Sequence, residues 1–213
     1  MTETSHPLFA RVYQRMAPAM DRAGAAEHRK ALTAGLRGRV IEIGAGSGLM
    51  FPHYPREVTA VLAVEPEPRL RAAATAAARS APVPIDVVAG VAEDLPARDD
   101  EFDAAVSALV LCSVRDQALA LAEIRRVLRP GGQLRFYEHV VDAGSGVLHR
   151  VQKVVDATLW PRMLGGCHTS RDTLAAITAA GFVLDDVLRF RFPESRVPSP
   201  AAPHVRGRAT LTP

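Results

Sequence analysis

The sequence predicts an α/β domain built on a doubly wound, mainly parallel seven-stranded sheet that a C-terminal antiparallel hairpin closes. Three observations lead there. From Arg39 onward short apolar strands alternate with helical stretches, and such alternation demands crossover helices. The strands are hydrophobic along most of their length rather than at every second residue, as in a sheet covered on both faces. The last two strands are joined only by the proline-rich stretch 193–203, which suits a closing hairpin.

Taken in order, residues 7–35 read as one or two helices, with a bend expected at Pro18. A first strand over 39–43 runs into a glycine-rich turn at 44–48. A second strand follows over 58–64, then an alanine- and arginine-rich helix over 67–80. Third and fourth strands fall at 85–89 and 102–111. The helix predicted over 117–128 is stopped by Arg129-Pro130-Gly131-Gly132, a helix-end and turn signal, and the fifth strand takes 133–138. Beyond Gly144 come a helix to about Trp160, a loop through 165–167, and a helix over 171–180. Ser170 is its expected N-cap and Gly181 its stop. Strands at 183–190 and 205–211 end the pattern. All of 1–213 reads as one domain: an N-terminal helical cap (1–37), a ligand-binding core (38–140), and further helices with the closing strands (141–213).

Composition narrows the class. With 48% hydrophobic and 23% charged residues the chain is globular rather than disordered. No apolar run approaches the ~20 residues that cross a bilayer, and the N-terminus lacks the apolar block of a secretory signal. A cytoplasmic protein without stable membrane insertion is therefore expected. The net charge of +3 comes almost wholly from scattered arginines, since Lys30 and Lys153 are the only lysines. Without a basic stripe and interleaved aromatics, nucleic acid is not an expected partner. Cys112 and Cys167 lie far apart and outside any metal-ligand spacing, so they read as reduced thiols and no metal is expected. Oligomeric state leaves no trace in the sequence.

The chemistry sits in Val40-Ile41-Glu42-Ile43-Gly44-Ala45-Gly46-Ser47-Gly48, at the end of a strand. Glycines there let the backbone turn sharply and approach a ligand closely. Glu42 discriminates between ligands. A carboxylate beside that loop would repel the pyrophosphate of a dinucleotide, but it favours the ammonium and sulfonium of S-adenosylmethionine (SAM). Glu65, 21 residues after Gly44 and followed by Pro66, ends the second strand and can accept hydrogen bonds from both ribose hydroxyls. Three further elements follow: Gly90-Val91-Ala92-Glu93-Asp94-Leu95-Pro96, Phe102-Asp103-Ala104-Ala105-Val106-Ser107-Ala108, and the run from Glu123 to Gly132.

Together, over about 38–140, these elements resemble the small-molecule class I SAM-dependent methyltransferases related to the quinone C-methyltransferases, whose fold is Rossmann-like. The resemblance implies SAM as cofactor and a small-molecule acceptor. It assigns Glu42, Gly44, Ala45, Gly46 and Gly48 to the methionine moiety and Glu65 with Pro66 to the ribose. The adenine falls to Val91, Ala92 and Glu93, and Ala108 belongs to the fourth strand's contribution. Val91 departs from the family's usual aspartate, which shifts the adenine amino contact to backbone or to Glu93. A narrower resemblance rests on Leu109-Val110-Leu111-Cys112-Ser113-Val114, Phe136-Tyr137-Glu138-His139-Val140, Gly165-Gly166-Cys167-His168 and Pro203-His204-Val205. These are similar to the animal thiol S-methyltransferases, which carry an apolar N-terminal anchor not expected in this chain.

On the acceptor side, Glu138-His139 ends the fifth strand, and alternation lets only one of the two face the pocket. His139 is the candidate catalytic residue, as a general base for a thiol or hydroxyl. His168 reads as a loop histidine, Cys112 as apolar filler, and Trp160 as core. A thiol acceptor ranks first, an oxygen or carbon of a quinone-like or specialised metabolite second. From another class comes a SAM-binding module without catalysis.

Overall fold

The computed structural model describes residues 7–144, 146–193 and 199–212. Helices α1 (Pro7–Met20) and α2 (Ala26–Thr33) flank a five-residue π-turn, Asp21–Ala25. Strand β1 (Gly38–Ile43) is followed by a short 3-10 turn, Phe51–His53, then β2 (Val58–Val64), α3 (Pro68–Ala78), β3 (Ile85–Val88) and β4 (Phe102–Ala108). The second half comprises α4 (Gln117–Val127), β5 (Leu128–His139), α5 (Val147–Asp156), α6 (Trp160–Met163), α7 (Thr173–Ala179), β6 (Phe182–Arg191) and β7 (Pro203–Leu211).

The seven strands form one sheet in the order β3-β2-β1-β4-β5-β7-β6. Strands β1 to β5 are mutually parallel, and β7 runs antiparallel between β5 and β6. The strand order reverses between β1 and β4, the place where open α/β sheets open a crevice at their carboxyl ends. Both faces are covered, as the unbroken apolar strands require. Ile41, Ile43, Ala105, Leu134 and Phe136 pack under α4 and α7. Val40, Ala63, Val106 and Tyr137 pack under α2, α3 and the Phe51–Tyr54 turn.

Local departures have physical causes. Helix α1 continues past Pro18, which lies on its exposed surface. The break comes at Gly24, whose φ of +117° only glycine tolerates well. Helix α7 is capped by the Asp172 carboxylate, which accepts from the Ala175 N–H at 3.1 Å. Ser170 is not the cap: its hydroxyl donates to Asp156 at 2.6 Å. The fourth strand ends three residues early because Leu109 turns to φ +61°. The fifth begins early: Leu128 already pairs with Phe102, and the Pro-Gly-Gly turn is absorbed as a register shift. Of the proline-rich connection, residues 194–198 lie outside the described residues.

Candidate active site

At the strand reversal a narrow cleft is lined by Glu42, Gly44 and Ala45 from β1 and its loop. Ala108 and Leu109 follow from β4, Tyr137 from β5, and Tyr13 and Arg29 from the helical cap. A larger, more open groove beside Asp99, Arg125 and Pro130 lies at the opposite end of the sheet, where β4 and β5 begin. The glycine loop is tied to the neighbouring strand, with the Gly44 and Ala45 N–H groups donating to the Val64 carbonyl at 2.8 and 3.1 Å. Gly46 has φ +56°, and a Cβ there would stand 3.2 Å from the Tyr13 hydroxyl. This is a cradle that any side chain would fill.

Two buried carboxylates face that loop. Glu42 is 3% exposed and accepts from the Tyr54 phenol at 2.7 Å. Burial pushes its carboxyl up to about 8, against the smaller opposing effects of Tyr54 and Arg29. Tyr54 is itself raised well above the ordinary phenol value, by burial and by Glu42, so it remains a donor. Glu65 accepts from the Gly46 N–H at 2.7 Å and the Glu67 N–H at 2.9 Å, and burial raises it to about 7. Two acids held so far above their usual range mark a place that a cation would stabilise. SAM carries such a cation, and a backbone cradle beside it fits the group.

The other expected residues are placed as follows. Gly48 packs closely on Phe51 and Ala77, and the Pro66 carbonyl receives Arg71 at 3.0 Å. Val91, buried Ala92 and Glu93 form the turn after β3, with Val91 bridging to Asp94. Glu93 Oε1 accepts from the Arg115 and Asp116 N–H groups at 2.8 and 3.2 Å, which ties this turn to the start of α4. Tyr13, Arg29, Tyr54 and Tyr137 were not anticipated. Arg29 is a buried cation paired with Asp21, and nothing in the local sequence of α2 marks it.

At the end of β5, Glu138 and His139 point to opposite faces. Glu138, wholly buried, accepts from Ser107 Oγ at 2.7 Å and from the Val110 and Cys112 N–H groups at 3.1 and 3.2 Å. His139 shares the face of Tyr137, but the sequence did not anticipate its neighbours. Its Nδ1 lies 3.6 Å from Cys112 Sγ and 3.5 Å from Cys167 Sγ, and the two sulfurs are 3.9 Å apart. Its ring packs at 4.4 Å on His204, which burial and His139 hold down to about 3, hence neutral. The thiol of Cys167 and then burial push Cys112 well above the ordinary thiol value. His168 Nδ1 bonds its own loop, at the Gly166 carbonyl, 2.7 Å away.

Comparison with known proteins agrees with this architecture. A family model described as a methyltransferase domain matches residues 41–136. A human thiol S-methyltransferase is 34% identical over 185 residues, covering 84% of this chain and 74% of that protein. The crystal structure of a SAM-dependent methyltransferase from Thermotoga maritima superposes with a TM-score of 0.67 at 26% identity, over 95% of this chain and 97% of that one. Geranyl diphosphate methyltransferase in complex with SAM shares the fold, with a TM-score of 0.68 at 15% identity over 93% and 90% of the two chains. Among the described residues no helix is long and apolar enough to cross a membrane. The cleft at the strand reversal, the acid-flanked glycine loop and these similarities agree: the chain belongs to the class I SAM-dependent methyltransferases.

Proposed function

We propose that the protein binds SAM between the glycine loop and the helical cap, and that it methylates the sulfur of a small-molecule thiol. The cofactor half of this reading is carried by Glu42, a buried acid lining the cleft with one hydrogen-bond donor among the described residues. The thiol half is supported by the similarity to the human thiol S-methyltransferase.

When bound, SAM supplies a methyl group on a sulfonium that is open to in-line displacement. The chain's own residues then position and dry the site. Glu42 receives the ammonium and exchanges its proton for that charge. Glu65, already holding the loop through Gly46, accepts from the ribose hydroxyls with its remaining lone pairs. Backbone of Val91 and Ala92 meets the adenine edge, while Glu93 holds that turn in place. Ala108 and Leu109 wall the transfer region, with Tyr137 beside Ala108 on the neighbouring strand. A thiol with an ordinary pKa near 8.5 supplies a few per cent thiolate at neutral pH. Positioning therefore matters more than a dedicated base, and His139 takes its place on the acceptor side, two residues beyond Tyr137 on the same face.

The test is a panel of thiol, phenol and quinol acceptors with methyl-labelled SAM. Label should appear in thioethers. Label confined to phenols or quinols would replace the thiol by an oxygen or carbon acceptor. Tight SAM binding without any transfer would leave a binding module.

A further inference from the structure

Three side chains from three separate segments converge beside the acceptor side of the cleft: Cys112 after β4, His139 at the end of β5, and Cys167 after α6. We propose that they form a binding site for a zinc-class divalent cation, with two thiolates and one imidazole as protein ligands and a fourth position left to an exogenous ligand.

The spacing carries the proposal. A tetrahedral ion with Zn–S near 2.3 Å and Zn–N near 2.0–2.1 Å sets its sulfurs about 3.8 Å apart and each sulfur about 3.5–3.6 Å from the nitrogen. The three distances here are 3.9, 3.6 and 3.5 Å. A disulfide would need the sulfurs at about 2.05 Å, roughly half their separation. Thiolate with imidazole selects zinc-class ions over magnesium or calcium, which prefer oxygen donors.

The surrounding backbone holds the donors in place. Glu138 fixes the segment bearing Cys112 by accepting from its N–H, and the His168 N–H donates to the Cys112 carbonyl at 2.8 Å, tying the two cysteine loops together. Gly166 has φ +90°, and a Cβ on it would lie 2.5 Å from the Ser113 carbonyl oxygen, so glycine lets Cys167 approach this closely. This gives the Gly165-Gly166-Cys167 sequence a reason. Cys112 and Cys167 are 1% and 7% exposed, so an ion here would sit mostly out of water with its charge offset by the two thiolates.

The experiment uses the full chain, reduced with a phosphine, stripped of metal by a chelator, and titrated with cobalt(II) and then zinc(II). One equivalent of cobalt should bind with a thiolate-to-cobalt charge-transfer band and d–d bands of tetrahedral intensity, and zinc should displace it. Cys112→Ser and Cys167→Ser should each weaken binding by more than the roughly 10–100-fold that loss of a supporting partner costs. His139→Gln should shift the d–d bands, and His168→Gln should leave the spectrum unchanged. Absence of the charge-transfer band in the reduced parent overturns the proposal, whatever the variants do. So does a signal that survives both cysteine substitutions in folded protein. Neither readout involves methyl transfer, so failure here leaves the proposed reaction standing.

Discussion

Glu42 and Glu138 are both buried glutamates near the carboxyl ends of parallel strands, on either side of β4, yet their surroundings differ. Glu138 accepts three hydrogen bonds, from a serine hydroxyl and two backbone N–H groups. Glu42 has one donor among the described residues, Tyr54, and it borders the narrow cleft. A buried acid with its lone pairs engaged is part of the frame, here shaping the turn that carries Val110 and Cys112. A buried acid left short of donors beside a cavity is costly unless a ligand completes it. The same residue type therefore belongs to the frame at the end of β5 and, in the proposed reading, meets the ligand at the end of β1.

The largest effect should come from the frame. Glu138→Ala removes one acceptor for three donors, two of them backbone groups in a closed interior. Each buried donor left without its partner costs about 1–3 kcal/mol, so the variant should lose at least about 3 kcal/mol, to be read from denaturant unfolding at neutral pH. A loss below 1 kcal/mol would mean that water reaches those donors and that the contrast with Glu42 is false.

Next comes the ribose contact. Glu65→Ala should weaken SAM binding by about 1.5–3 kcal/mol, the worth of charge-assisted bonds to two hydroxyls, as measured by calorimetry. Glu65 also holds the Gly46 N–H, so part of the loss belongs to the loop. Glu65→Gln, which keeps one acceptor oxygen, should recover some of it. Unchanged affinity in a folded variant would take Glu65 out of the site.

The contrast also bears on how legible the molecule is in its sequence. The parallel core was legible because its strands are buried on both faces and therefore apolar throughout. The glycine loop was legible because its chemistry is packed into nine consecutive residues. Glu42 drew attention because a carboxylate two residues before the first glycine would repel a pyrophosphate and favour a cation. His139 was singled out by its place at the end of the fifth strand, but nothing local joins it to Cys112 and Cys167. The three are 27 and 28 residues apart in turn, and only the return of the loop after α6 onto the end of β5 unites them. Arg29, Tyr13 and Tyr54 were hidden likewise, since packing of the cap and the turn after β1, not spacing, brings them to the cleft. The expected N-cap failed for a tertiary reason too: Asp156 recruits Ser170 from another helix, leaving Asp172 to cap α7.

A smaller effect of opposite sign is expected at Glu42. Its carboxyl is raised from 4.5 to about 8, so between those values the folded protein keeps a proton that the unfolded chain has released. Stability should fall as pH rises through that window and level off above it. Glu42→Gln should flatten this slope and raise stability at pH 8.5 by about 1–2 kcal/mol while weakening SAM binding. In the parent, bound ammonium favours the carboxylate, so SAM affinity should climb with pH up to about 8. Calorimetry in two buffers of different ionisation enthalpy should show the released proton. A variant that loses stability at every pH would make Glu42 a frame residue like Glu138.

The smallest expected effect asks which positive charge Glu42 meets. SAM has two, an ammonium on the methionine end and the sulfonium that gives up its methyl group. The product, S-adenosylhomocysteine, keeps the first and loses the second. If Glu42 pairs with the ammonium, product and SAM should bind within about tenfold of each other, a difference of about 1.4 kcal/mol or less. Glu42→Gln should then weaken both by the same factor, because the contact it removes is common to both. If Glu42 instead faced the sulfonium, SAM would be strongly preferred, and Glu42→Gln would erase that preference while leaving product affinity almost intact. Such a pairing would also oppose the reaction, since a carboxylate beside the sulfonium stabilises a charge that methyl transfer must discharge. Competition titrations of both ligands against the parent and Glu42→Gln, at one pH above 8, separate the two cases without any knowledge of the acceptor.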